Sequence, residues 1–226
     1  MTSTNASLIA YLQTVDTPTL SNAIERFKLR PQSAGFAPLG LRCLFPELGR
    51  MAGYAVTAQV ETVTQMTAAA EEGFHELFEA VEAAPKPAVV VFQEIGGHAD
   101  YAAHCGEVLA TIFSRLGAAG LVSDAGVRDI PEVRAMRFHY FARGAVASHA
   151  WFHIVRAGVP VQVLGMAVQP GDLLHGDENG LLQVPPLDLA QIQEAVEAVR
   201  TRERRLMDFV GSPAFSLAAL RGRFRE

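Results

Sequence analysis

The stretch GLVSDAGVRDIPE, residues 120–132, decides the fold. Gly120, Leu121 and Val122 read as the end of a buried strand, so the chain delivers Asp124, Arg128 and Asp129 together at one end of a sheet. The flanking pattern supplies the sheet. Before it, Val108, Leu109, Ile112, Phe113 and Leu116 keep helical spacing. After it come a short helix near IPEVRAM and a strand in FHYFA.

The same alternation recurs upstream. AGYAVTAQVETV alternates as a strand, TAAAEEGFHELFEAVEAA carries Ala70, Phe74, Leu77, Phe78 and Val81 on one helical face, and PAVVVFQ reads as a buried strand. Two strand–helix–strand crossovers in a row predict parallel pairing and an α/β arrangement. Near the N-terminus, Asp16 or Thr17 can cap a helix with Pro18 in its first turn and Leu20, Ile24 and Phe27 on one face. Residues 30–49 are rich in Pro and Gly and predict an irregular segment. After Arg156 the chain turns to short β segments punctuated by PGD and ENG, and a last helix runs from about Leu187 to Val210. With no repeat, linker or low-complexity segment, residues 1–226 read as a single domain.

Composition narrows the functional classes. Half of the 226 residues are hydrophobic, yet no apolar run reaches the length of a membrane helix, and MTSTNASLIAYL lacks a signal-peptide pattern. A soluble, cytoplasmic protein is expected. Cys43 and Cys105 are too few for a disulfide framework. The net charge of −5 argues against a dedicated nucleic-acid binder, and the arginines of the C-terminal helix alternate with Glu194, Glu197, Glu203 and Asp208 as on a solvated or subunit-facing surface.

Chemistry concentrates in the opening stretch. Just past a strand end, Arg128 offers a planar fork for a carboxylate and Asp129 a hard oxygen ligand for a divalent metal. Cys105–Gly106–Glu107 opens the preceding helix, whose free N–H groups suit a small anion. Read from spacing alone, the Arg128–Asp129 pair is more readily a structural ion pair in a turn. His149 and His153 could share a helix face as metal ligands, and His98, His104 or His175 could act as an acid or base from loops near strand ends. Lys28 and Lys86 are the only lysines, and neither sits in a context suited to a Schiff base.

GEVLATIFSRLGAAGLVSDAGVRDIPE resembles the signature of the RraA-like family, which groups the regulator of ribonuclease E activity with 4-hydroxy-4-methyl-2-oxoglutarate and 4-carboxy-4-hydroxy-2-oxoadipate aldolases. The matching positions are Gly106, Glu107, Arg128, Asp129 and Glu132, and the likeness extends through TLSNAIERF, YFARG and VQPGDLLHGDENGLLQVPP, covering most of residues 17–186. The family pattern departs at Asp124–Ala125–Gly126, where Gly126 is expected to carry the positive φ of the turn, and at His104, Cys105 and Asn179.

The resemblance implies a layered β/β/α fold of the swivelling phosphohistidine-domain type, assembled as a trimer or paired trimers. It also implies a metal-dependent (class II) aldolase releasing pyruvate from a 4-hydroxy-2-oxo acid, with oxaloacetate decarboxylase side activity. Carried over by position, Asp129 holds Mg2+ or Mn2+ and Arg128 contacts the keto acid. The backbone of Gly106, Glu107, Val108 and Leu109 binds its carboxylate, Glu107 and Glu132 order metal-bound waters, and Asp124 orients Arg128, with His104 close by. Acids of the C-terminal helix such as Glu203 could complete a neighbouring subunit's site. The competing reading is a non-catalytic regulator that acts through contacts with a ribonuclease or another protein.

Overall fold

Leu121 and Val122 do lie on a central strand. The computed structural model describes residues 3–63, 69–221 and 223. Helices α1 (Ser3–Leu12) and α2 (Thr17–Glu25) lead through the irregular segment, which holds only β1 (Arg42–Cys43) and a single 3-10 turn, into the long strand β2 (Met51–Val63). There follow α3 (Ala69–Ala83), β3 (Ala88–Glu94), α4 (Glu107–Arg115), β4 (Ala118–Ser123), β5 (Gly126–Val127), α5 (Ile130–Ala135), β6 (His139–Ala142) and β7 (Gly144–Ala145). The β-rich closing region holds β8 (Trp151–Ala157), β9 (Val161–Val163), β10 (Met166–Val168), β11 (Leu173–Asp177) and β12 (Gly180–Val184), before α6 (Leu189–Val210) and α7 (Leu217–Leu220).

The main sheet runs in the order β1, β6, β4, β3, β2, β11, β12, with β8 also paired to β2. Strands β2, β3, β4 and β6 pair in parallel, as the crossovers predict. Both faces of β3 are covered: Val90 and Phe92 pack with Leu77, Val81 and Phe113 of the helical layer, while Val89 and Val91 pack with Val161, Val163, Met166 and Val168 of the β9–β10 hairpin. A near-continuous apolar run is what a parallel strand covered on both sides requires. The result is a β/β/α stack. A third apolar cluster joins α1, α2 and α6 to β12 at the other end of the sheet.

The capping expectations resolve in detail. Asp16 caps α2 by accepting from the Thr19 N–H at 2.8 Å, with Pro18 in the first turn. Thr17 instead bonds Asp177 and His175. Asp188 and Gln191 form a reciprocal capping box that starts α6 two residues later than the apolar stripe alone suggests. PGD and ENG both mark reversals, the second closing the β11–β12 hairpin.

Two expectations are corrected. SHAWFHIV is not helical: Trp151–Ala157 is a strand, β8, laid antiparallel on the second half of β2, because its aromatic and β-branched residues fit a pleated surface. His149 and His153 therefore share no helix face. His153 pairs with Glu61 on β2 at 3.5 Å, and the His149 ring meets Trp151 edge-on. His175 likewise lies within β11, buried, bonded to Thr17 and the Leu12 carbonyl.

Candidate active site

The C-terminal ends of β3 and β4, the first turn of α4 and the turn into α5 converge on one edge of the sheet. Parallel strands present their C-terminal ends to the loops that bind ligands. Here the loop before α4 is stitched to the 120–132 stretch by backbone bonds: Gly126 N–H to the Ala102 carbonyl, His104 N–H to Gly126, and Arg128 N–H to Cys105. These bonds bring Gly106 and Glu107 against Arg128 and Asp129.

Asp129 is the pivot. Its backbone is left-handed, at φ 57° and ψ 47°, and it precedes α5 without capping that helix through its side chain. The carboxylate turns back instead, and Oδ2 accepts from the Glu107 N–H at 2.8 Å at the start of α4. Arg128 Nε lies 3.7 Å from the same oxygen, both side chains about one-third exposed. Gly126, expected to take the positive φ, sits in the short β5 strand without it. Its lack of a side chain serves packing, since a Cβ there would lie 2.5 Å from Val146. Asp rather than Gly can hold the left-handed position because a short polar side chain tolerates it.

Gly106 is fixed by the same geometry. A Cβ at this position would stand 2.3 Å from Asp129 Oδ2 and 3.1 Å from Arg128 Nε. Only glycine lets the three groups meet. Beyond Glu107, the N–H groups of Val108 and Leu109 lie in the first turn of α4, where no intrahelical carbonyl reaches them. One donor of the expected anion cradle, the Glu107 N–H, is thus already used by Asp129, and the others remain for a ligand. Glu107 and Glu132 are exposed, each in the first turn of its helix.

Asp124 and His104 stand elsewhere. Asp124 Oδ1 accepts from the Glu94 N–H at 2.7 Å, so its carboxylate braces the end of β3 rather than Arg128. Burial pushes it up to about 6. His104 is fully buried and bonds Glu94 Oε2 at 3.0 Å and Ser123 Oγ at 3.1 Å. Glu94 was not singled out by the sequence, yet its carboxylate also takes the Thr62 hydroxyl at 2.7 Å and the Gly96 N–H at 2.8 Å. Burial works to raise Glu94, but the His104 and Thr62 hydrogen bonds prevail and pull it down to about 2. The network ties β2, β3 and β4 to the loop that carries Cys105 and Gly106. Cys105 is buried, and burial pushes its thiol up to about 12, the opposite of the lowered value that marks a reactive thiolate.

A cleft of about 720 Å³ opens from Gly106, Arg128 and Asp129. Its walls are Phe74 and Phe78 of α3, Val108 and Leu109 of α4, and Trp151 and Phe152 of β8. Sequence periodicity assigned the two α3 rings to a core face, and nothing in it linked them to Trp151, because their meeting depends on β8 crossing β2. No lysine lines the cleft. Lys86 donates to the Val81 carbonyl, and Lys28 is exposed near the end of α2. Among the described residues no three His, Cys, Asp or Glu side chains cluster as a metal site, and no helix is long and apolar enough to cross a membrane.

The model of the RraA-like family, described as Aldolase/RraA, matches residues 17–182, well over half of the chain. The chain belongs to the RraA-like family. It is 27% identical over 120 residues to an uncharacterized protein of Methanocaldococcus jannaschii, covering 52% of this chain and 58% of that one. It is 32% identical over 112 residues to a putative 4-hydroxy-4-methyl-2-oxoglutarate aldolase of Halalkalibacterium halodurans, covering 46% and 52%. The chain thus spans little more than half the length of these relatives. Among solved structures it is similar to Streptomyces coelicolor RraAS2, described as an unusual member of the RNase ES inhibitor RraA family, with a TM-score of 0.64, 25% identity, and coverage of 88% and 92%. The layered α/β fold is that of this family, which includes both aldolases and ribonuclease regulators.

Proposed function

We propose that this RraA-like protein is a divalent-metal-dependent lyase that cleaves a 4-hydroxy-2-oxo acid to release pyruvate, and that it decarboxylates oxaloacetate as a side reaction. The observation that carries the reading is the meeting of Arg128, Asp129 and the first turn of α4 across Gly106, at the mouth of a cleft. A structural ion pair needs no glycine opposite it and no cleft beside it.

The donor set fits a hard, largely hydrated cation. The hydrogen bond and the ion pair of Asp129 both use Oδ2, which leaves Oδ1 as a ligand, and Mg2+ or Mn2+ bound by one carboxylate keeps most of its waters. Glu107 and Glu132 would order those waters. When bound, the metal supplies Lewis-acid polarisation of the keto oxygen. Arg128 holds the substrate carboxylate and offsets the negative charge that grows on the pyruvate half as the C3–C4 bond breaks. The Val108 and Leu109 N–H groups orient the same carboxylate. Glu107 positions water to take the proton of the 4-hydroxyl, and the apolar cleft walls limit access of other water.

The reading includes cytoplasmic placement and assembly as a homotrimer or paired trimers, which sedimentation would measure. Its test is pyruvate release from 4-hydroxy-4-methyl-2-oxoglutarate and from oxaloacetate, with Mg2+ and then with excess chelator. Metal-dependent release from either is expected. Its absence with both would favour the second reading, a regulator that binds a ribonuclease, which the likeness to the Streptomyces protein supports.

A further inference from the structure

The metal and keto-acid groups account for only one end of the cleft. The remaining wall is aromatic and aliphatic. Phe74 meets Phe152 edge-on with centroids 5.5 Å apart, and Phe78 meets the buried Phe113 in the same way at 5.9 Å, so the rings are held in place before any ligand arrives. Val108 and Trp151 remain 74% and 45% exposed, which leaves apolar surface open toward the cleft.

Charge is distributed just as unevenly. Among the described lining residues, Arg128 is the single side chain of fixed positive charge. The other basic groups, His75 and His149, each set their ring edge-on to an aromatic neighbour, Phe78 and Trp151 respectively. A second substrate carboxylate placed against this wall would shed water and gain no guanidinium or ammonium from this chain in return. An aryl group there would leave water and find ring edges and faces already arranged.

From this we infer that the substrate carries one carboxylate, held at the Arg128 end, and an aryl group rather than a second carboxylate on C4. The inference rests on the lyase reading and specifies its substrate. For 4-hydroxy-2-oxo-4-phenylbutanoate, the C3–C4 bond breaks, its electron pair passes to C3, and C3 then takes a proton. The 4-hydroxyl gives up its proton as C4 becomes the aldehyde carbon, so the products are pyruvate and benzaldehyde and no oxidant is consumed.

Trp151 is the only tryptophan of the chain and lines the cleft, so its fluorescence reports occupancy. The Mg2+-loaded protein would be titrated with 2-oxo-4-phenylbutanoate, which lacks the hydroxyl needed for cleavage, and with 2-oxoglutarate. Pyruvate release would be compared in parallel for 4-hydroxy-2-oxo-4-phenylbutanoate and 4-hydroxy-4-methyl-2-oxoglutarate. The expected result is a Kd about tenfold lower for the phenyl acid and a similar preference in kcat/KM, and Trp151→Ala, read by pyruvate release alone, narrows the kcat/KM preference. Equal or tighter binding of 2-oxoglutarate, together with faster cleavage of the dicarboxylate, would overturn the inference while leaving the lyase intact. Preferential binding of the phenyl acid with no release from either substrate would instead remove the lyase reading and keep the ligand class. If neither acid alters Trp151 fluorescence, the inference falls and the aromatic wall is better explained as a face for a second copy of the chain.

Discussion

Asp129 joins a strained backbone to a shared carboxylate, and that combination determines which substitutions are informative. Its left-handed φ costs a residue with an ordinary Cβ about 1 kcal/mol or more, whereas Asn adopts it readily. Asp129→Asn keeps the turn and still offers an oxygen to the Glu107 N–H, but removes the charge a metal needs. It is expected to cut pyruvate release by about a hundredfold or more with the melting temperature nearly unchanged. Arg128→Ala should lose a similar factor, again without unfolding, since its side chain is one-third exposed and carries no part of the core. Steady-state kinetics beside thermal melts would check both, and retained turnover in either variant would contradict the proposed roles. Gly106→Ala differs in kind, because its new methyl must displace Asp129 Oδ2. It should cost activity and about 1–3 kcal/mol of stability together. At this scale the sequence was readable where chemistry is local: an adjacent Arg and Asp beyond an apolar strand is visible in one line. The left-handed residue was not, because glycine invites the positive φ at Gly126, and only the turn-back of the Asp129 carboxylate to the Glu107 N–H accounts for Asp129 carrying it.

Between elements, the buried Glu94 network does the joining. Its carboxylate receives His104, Thr62 and the Gly96 N–H, while Asp124 receives the Glu94 N–H, so the ends of β2, β3 and β4 and the loop before α4 are tied together. The ionisation of Glu94 sets a pH signature. Its folded pKa is pulled below the unfolded value near 4.5, so between the two the unfolded state binds more protons, and the stability it contributes is present above about 4.5 and lost as pH falls toward about 2. Asp124 has the opposite sign. Raised to about 6, it stays protonated in the fold where the unfolded chain has already ionised, so its contribution weakens as pH rises from about 4 to 6. Denaturant melts across pH 2–5 should show a steep acid loss in the wild type and a shallower one in Glu94→Gln, whose neutral-pH stability is lower from the outset. An unaltered acid slope would show that Glu94 is not the group responsible. His104 and Asp124 were legible as neighbours of the site, but Glu94, which joins them, reads only as the polar end of a strand. Helices α2 to α6 and the parallel strands were legible because their periodicity is local, whereas α1 and α7 were not read as helices. Strand β8 was missed because its identity comes from pairing with β2, far away in sequence.

At the scale of the molecule, the question is whether the proposed metal belongs to the fold or only to the reaction. The sheet is sealed by an aliphatic and aromatic cluster under α3 and α4, a second under the β9–β10 hairpin, and a third against α1, α2 and α6. Asp129 touches these only at their margin, through a turn whose charged side chains are about one-third exposed, and no apolar cluster depends on a group that a cation would have to satisfy. That differs from a structural zinc site, where binding energy is folding energy. For a weakly held, hydrated cation present at a concentration near its Kd, mass action adds well under about 1 kcal/mol, or about 2–4 °C at most for a chain of this size. Chelation should therefore abolish pyruvate release while moving the melting temperature by no more than that, and added Mg2+ should restore turnover in full. A melting temperature that collapses with chelator would place the ion inside the fold and would require the cluster boundaries around α4 and α5 to be reassigned. Unchanged turnover in chelator would remove the metal from the reaction and leave Arg128 and the α4 N-terminus to stabilise the developing charge unaided.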